Sequence, residues 1–198
     1  MPKIVDHAAR RCEISAIAAT LIAEGGMDAT TIREIARRSG YSKGVIEHYF
    51  DDKKELISAA LDWINQCYER RVAQSTAGLS GLPALRKRIE ATLPMNRAIR
   101  NEWKVRLVFW SMAAVHAKLR ARQAERFELA VEFYASDIIV AIEQGDIVAG
   151  GEAEHLARRL FTSTIGISTA ALYNPAQFGK TFLLGESEHL MQRLIRGF

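Results

Sequence analysis

The segment from Thr30 to Leu56, TTIREIARRSGYSKGVIEHYFDDKKEL, constrains the fold more than any other part of the chain. Thr31 and Glu34 stand three apart, the spacing with which a capping hydroxyl and a first-turn acid start a helix. Ile32, Ile35 and Ala36 then give that helix one apolar face. Gly40 follows Ser39 where the chain must reverse, and a left-handed residue at a helix end favours glycine. Ser42 can cap a second helix running toward Tyr49. Asp51 or Asp52 can cap a third, with Glu55 three residues after Asp52. Two short helices joined by so tight a turn form a helix-turn-helix, whose second helix fits the major groove of B-DNA. The same spacing also fits a surface turn between packed helices with a solvated polar face.

The second helix divides by face. Val45, Ile46 and Phe50 can turn inward, leaving Ser42, Lys43, Gly44, Glu47, His48 and Tyr49 outside. Lys43 supplies charge, and Gly44 lets the backbone approach a phosphate. His48 and Tyr49 carry hydrogen-bonding tips on flat apolar bodies. Lys53, in the first turn of the next helix, offers another phosphate contact. Contacts of this kind set register on a duplex, while contacts to base edges set sequence preference.

The residues Thr31, Ile35-Ala36, Gly40, Ser42-Lys43-Gly44, His48-Tyr49-Phe50 and Lys53 resemble the DNA-binding signature of the TetR family of bacterial repressors. The resemblance covers about a quarter of the chain. It implies that Thr31, Lys43, Gly44, His48, Tyr49 and Lys53 touch the DNA backbone or bases, and that Arg33 stands where some members read a base. Glu47 departs from the pattern, since an aromatic is common there. An acid beside phosphates is unfavourable unless it accepts a hydrogen bond from cytosine N4.

Charge does not single out this segment. The net charge is +4, yet residues 1–55 are balanced and the excess of Lys and Arg falls between residues 66 and 126. DNA binding therefore rests on placement, with Arg33, Arg37, Arg38, Lys43 and Lys53 around the motif. The basic middle reads as a solvated helix face, or as a surface that steers DNA or an anionic ligand. No run of about twenty apolar residues is present, so no membrane span is expected. Arg10, Arg11 and Glu13 interrupt any apolar signal core. Cys12 and Cys67 have no metal-motif spacing and read as free thiols in a reducing cytoplasm, so a cytoplasmic location is expected.

The remainder of the chain reads as helix. Ile14, Ile17, Ala18, Leu21 and Ile22 have three-four spacing, and Gly25-Gly26 ends that helix. The third helix of the motif runs on from Asp52 to about Ala73. Gly78 to Pro83 and Pro94 are breaks. Asn96–Ala117 and Lys118–Gln144 follow, then a connection marked by Gly145-Asp146 and Gly150-Gly151. The last two helices are 152–173 and 181–196. The expected fold is all-α: a three-helix helix-turn-helix domain over residues 1–52, and a helical ligand-binding and dimerisation domain over residues 53–198.

Two aromatic stripes stand out in the second part, which 48% hydrophobic content makes large enough for a sizeable core. Trp103, Leu107 and Trp110 share one, with His116 on a neighbouring face; Phe127 and Tyr134 share the other. Such stripes are ordinary core or the lining of an apolar ligand cavity. The family resemblance implies a helical regulatory domain that binds a small molecule, and so favours the cavity. Phe109-Trp110 and the Met1-Pro2-Lys3 start resemble the choline-responsive BetI subgroup, in which case Trp103 and Trp110 form an aromatic cage for a quaternary ammonium. Thr162, Gly166, Ala170 and Tyr173, with Leu183, Leu190 and Leu194, mark residues 152–196 as a homodimer interface or as intramolecular packing.

One rival is enzymatic. Glu152/His155 and Glu186/His189 are paired Glu-x-x-His motifs of the kind that hold di-iron centres in helical bundles. Glu152 and His155 sit beside flexible glycines at a helix start, and an iron centre leaves the helix-turn-helix unexplained. No Ser/His/Asp set, phosphate loop or zinc spacing is present. The chain is therefore read as a non-enzyme with no cofactor and no metal. The expected function is a ligand-responsive DNA-binding regulator, a repressor released from a palindromic operator by a small molecule. A constitutive DNA-binding protein without an effector is the other possibility.

Overall fold

The computed structural model describes residues 6–147 and 151–196. The Met1-Pro2-Lys3 start and Gly150 lie outside them. Among the described residues the chain forms nine α-helices and no strand. They are α1 (His7–Ala29), α2 (Ile32–Ser39), α3 (Lys43–Tyr49), α4 (Lys53–Thr76), α5 (Gly81–Thr92), α6 (Arg97–Val115), α7 (Ala117–Glu143), α8 (Ala153–Tyr173) and α9 (Lys180–Arg196).

The helix starts follow from short-range capping. Thr31 Oγ1 accepts from the Glu34 N–H at 3.1 Å, Ser42 Oγ from the Val45 N–H at 3.3 Å, and Asp52 Oδ1 from the Glu55 N–H at 2.7 Å. Each satisfies an amide that has no partner within its own helix. The Glu34 carboxylate does not complete a reciprocal box. It is taken by Arg37 at 2.5 and 2.8 Å, which together with Arg38 holds its pKa at about 2. At the other end of α2, Gly40 has φ 72°, a left-handed cap that releases the chain into the turn. Gly26 has φ 71° and kinks the end of α1, so the expected stop there is a bend that leaves Met27–Ala29 in one further turn.

Two apolar clusters form the interior. The first gathers Ile14, Ile22, Ile35, Ile46, Phe50 and Leu56, and is completed by Val105, Phe109 and Ala113 of α6. The described residues 6–52 thus share this core with α6, which lies against α1. Lys104 Nζ also donates to the Ala23 carbonyl at 3.2 Å. The second cluster lies between α5, α7, α8 and α9, around Leu85, Tyr134, Ile138, Leu160 and Leu190.

α4 belongs to both regions. Its first turns carry Leu56, Ile57 and Leu61 into the first cluster, and its later turns pass over α5 and α6. Midway along it, Asp62 accepts from Arg122 at 2.5 Å and from Arg126 at 2.7 Å, both on α7.

The stripe assigned to the partner interface on α9 is buried inside the monomer. Leu183, Leu190 and Leu194 pack into the second cluster, because α9 lies on α5 and α8 and turns that face inward. The small-residue side of α8 does stay open: Thr162, Gly166 and Tyr173 are exposed, with Tyr173 at 78%. Phe182, Leu184 and Ile195 add exposed apolar surface on α9.

Candidate DNA-recognition helix and ligand cavity

α3 is a short helix held by its apolar side. Ile46 and Phe50 are buried, while Ser42, Lys43, Gly44, Glu47 and His48 are exposed on the other side. Arg11 of α1 locks its end. The guanidinium donates to the Tyr49 carbonyl, lies 4.5 Å from the Phe50 ring centroid, and pairs with Glu55 at 2.7 Å. Glu55 in turn accepts from the Asp51 N–H at 2.7 Å, and these two partners lower its pKa. Arg11 therefore fastens α3 to both α1 and α4. Sequence reasoning missed it, because a lone arginine 38 residues away in the chain carries no local signal.

The expected DNA-contact residues fall on one side of this unit with different degrees of freedom. Lys43 and Glu47 form an exposed ion pair at 3.1 Å, so the acid that departs from the family pattern is neutralised in place. Tyr49 is half-buried, and its hydroxyl lies 3.0 Å from His7 Nδ1. His48 stacks edge-on to Tyr49. Arg33 is exposed on α2, and Thr31 and Ser42 are engaged as caps. Lys53 is half-buried with its ammonium on the Met27 carbonyl, which leaves two of its three donors for a phosphate.

A cavity of about 540 Å³ opens between α4, α6, α7 and α8. That is within the range that encloses a drug-sized ligand. Trp103, Trp110, Phe127 and Tyr134 line it. Leu107 and His116 do not. The face of α6 that meets the cavity is Trp103-Arg106-Trp110, so Arg106 stands where Leu107 was expected, and His116 is an exposed junction between α6 and α7. The two tryptophans meet edge to face, 5.7 Å between centroids and 89° between planes, and so touch each other rather than framing a gap. Trp103 Nε1 donates to the Thr92 carbonyl at 2.8 Å. Tyr68, Arg88 and Phe161 also line the wall and were not anticipated. Arg106 was detectable as a charge three residues after Trp103 on an otherwise apolar face.

The Glu-x-x-His pairs are surface features. Glu152 and His155 are 3.9 Å apart with both side chains largely exposed, and His189 is exposed on α9. No group of three or more His, Cys, Asp or Glu side chains among the described residues could hold a metal ion. Nor is any helix there long and apolar enough to cross a membrane.

Comparison with known proteins decides the family. Residues 14–60 match the family model for bacterial regulatory proteins of the tetR family, and residues 83–196 match that for the BetI-type transcriptional repressor C-terminal domain. The chain belongs to the TetR family. TetR-family proteins are transcriptional regulators and not enzymes, which removes the di-iron alternative. Among relatives, the HTH-type transcriptional regulator PksA of Bacillus subtilis is 22% identical over 91% of this chain and 87% of its own length. Two solved TetR-like folds show the shared architecture. A transcriptional regulator of Saccharomonospora viridis, in complex with choline, has a TM-score of 0.85 at 23% identity, covering 95% of this chain and 98% of that one. FadR of Bacillus subtilis, in complex with stearoyl-CoA, has a TM-score of 0.73 at 20% identity, covering 94% and 98%.

Proposed function

We propose that this TetR-family chain acts in the cytoplasm as a homodimeric repressor, released from a palindromic operator when a small molecule enters the α4–α8 cavity. The observation that carries it is the course of α4, which leaves the recognition unit at Asp52 and reaches the cavity wall at Tyr68 and Val72. Residues 1–52 form the DNA-binding part, and residues 53–198 the effector and dimer part. α6 packed on α1 couples the two. Each α3 enters a major groove with Lys43, Gly44, His48 and Tyr49 foremost. Thr31, Ser42 and Lys53 fix the backbone, Arg33 reaches from α2, and Glu47 sets base preference together with Lys43.

The exposed side of α8 and α9 supplies the twofold contact, because Thr162 and Gly166 permit close approach and Tyr173 offers apolar area. A ligand favouring one spacing of the recognition helices lowers operator affinity only by its differential affinity for the two states. Selection of bound DNA fragments followed by sequencing tests this. An enriched palindrome that Lys43→Ala and Tyr49→Ala fail to bind, with melting and dimerisation unchanged, is the expected result. No enrichment at moderate salt, where non-specific phosphate binding is suppressed, overturns the reading.

A further inference from the structure

Three arginines line the cavity, and two donate to a carboxylate at hydrogen-bond distance, although one of those carboxylates, Asp62, is shared with Arg122. Arg88 Nε donates to Asp137 at 2.8 Å, and Arg126 Nη2 donates to Asp62 at 2.7 Å. Arg106 differs. Its nearest carboxylate oxygen, on Glu102, is 3.8 Å away, and Glu102 already accepts two hydrogen bonds from Arg71 at 2.8 and 2.7 Å. Two guanidinium groups therefore share one carboxylate, and the second lies nine-tenths buried in the cavity wall. Its faces rest on Tyr68 and Trp103, at 5.3 and 5.5 Å from the ring centroids.

Burial pulls the Arg106 pKa below the ordinary arginine value, yet a guanidinium stays charged in proteins. A buried charge without its own counterion is costly, and a ligand that supplies the missing charge removes that cost. The rest of the lining mixes apolar Phe127, Phe161 and Val72 with polar Asn65 and Gln123 and the exposed acid Glu69. A quaternary ammonium faces the opposite situation, because the Tyr68 and Trp103 faces already hold a cation and a second would repel it.

We infer that the effector is an amphiphilic anion, a carboxylate on an apolar body, with its head paired to Arg106 and its body along Phe127 and Phe161. This rests on the effector reading above and names its chemical class. Four probes separate the alternatives on the wild-type dimer by calorimetry: decanoate, decan-1-ol, decyltrimethylammonium and choline. Decanoate is expected to bind at least about tenfold more tightly than decan-1-ol, as a charge-assisted pair requires, with both cations weaker than the alcohol. Arg106→Gln should erase the preference for decanoate over the alcohol, and Arg106→Lys should keep part of it. If Arg106→Gln does not fold, the wild-type series decides alone. Equal binding of decanoate and decan-1-ol, no binding of decanoate, or tighter binding of either cation overturns the anionic assignment. Release of operator DNA is read in parallel. Release by choline alone keeps the effector reading and overturns the anion; decanoate binding without release keeps the anion pairing and overturns the effector reading.

Discussion

The recognition unit and the cavity differ in the balance of local and distant polar pairs. In the unit from α2 to the start of α4, the caps and several ion pairs join residues three or four apart: Thr31 with the Glu34 amide, Glu34 with Arg37, Lys43 with Glu47, Asp52 with the Glu55 amide. Arg11–Glu55 and Tyr49–His7 tie the unit to α1. Around the cavity polar side chains meet partners far along the chain. Arg71 finds Glu102 across 31 residues and Arg88 finds Asp137 across 49. Local pairing leaves the face of α3 free for another molecule, whereas distant pairing uses buried charge to hold separate helices around a space. The first kind of site survives small rearrangements. The second depends on every helix keeping its place.

The strongest way to break this contrast is Phe109→Ala. Phe109 is fully buried on α6 yet completes the core beneath α1–α3, so its loss should cost about 3–5 kcal/mol. It should also lower amide-exchange protection within α1; unchanged protection there would show that the recognition unit closes its own core. Next comes Glu102→Ala, which leaves Arg71 and Arg106 without a shared acid and should cost about 3 kcal/mol in urea denaturation. A loss no larger than that of an exposed ion pair would mean the cavity charges are not held by burial.

Thr31→Ala removes a single local cap and should cost about 1 kcal/mol, measured by the same urea midpoint. The smallest effect is acidic. Glu34 has its pKa lowered to about 2 by Arg37 and Arg38, so its contribution is present above the ordinary carboxylate pKa and fades as pH falls toward 2. The pair is exposed, and Glu34→Gln should flatten the acid limb of the melting-temperature curve only slightly. A large change would place Glu34 in the buried class with Glu102.

The same contrast explains what could be read before folding. Caps and glycine stops are short-range, so Thr31, Gly40, Ser42 and Asp52 mark the helices of the recognition unit almost residue by residue. Helical periodicity carried the rest of the all-α architecture. It did not carry rotation about a helix axis: the stripe Trp103-Leu107-Trp110 and the face Trp103-Arg106-Trp110 share two members, and only packing against α4 and α7 selects the second. The same limit turned Leu183, Leu190 and Leu194 inward. Arg11, which reaches α3 from α1, belongs to a contact that no local pattern encodes.

The two arginines of α7 that grip Asp62 give α4 a fulcrum. At 1.5 Å per residue the helix has an arm of roughly 14 Å toward Lys53 and one of roughly 21 Å toward Thr76. Pushing the long arm aside by roughly 1.5 Å swings the short one by roughly 1 Å. Over two protomers that is roughly 2 Å against a major-groove repeat of about 34 Å. A lever turning about that point would step motion down rather than up, trading travel for force.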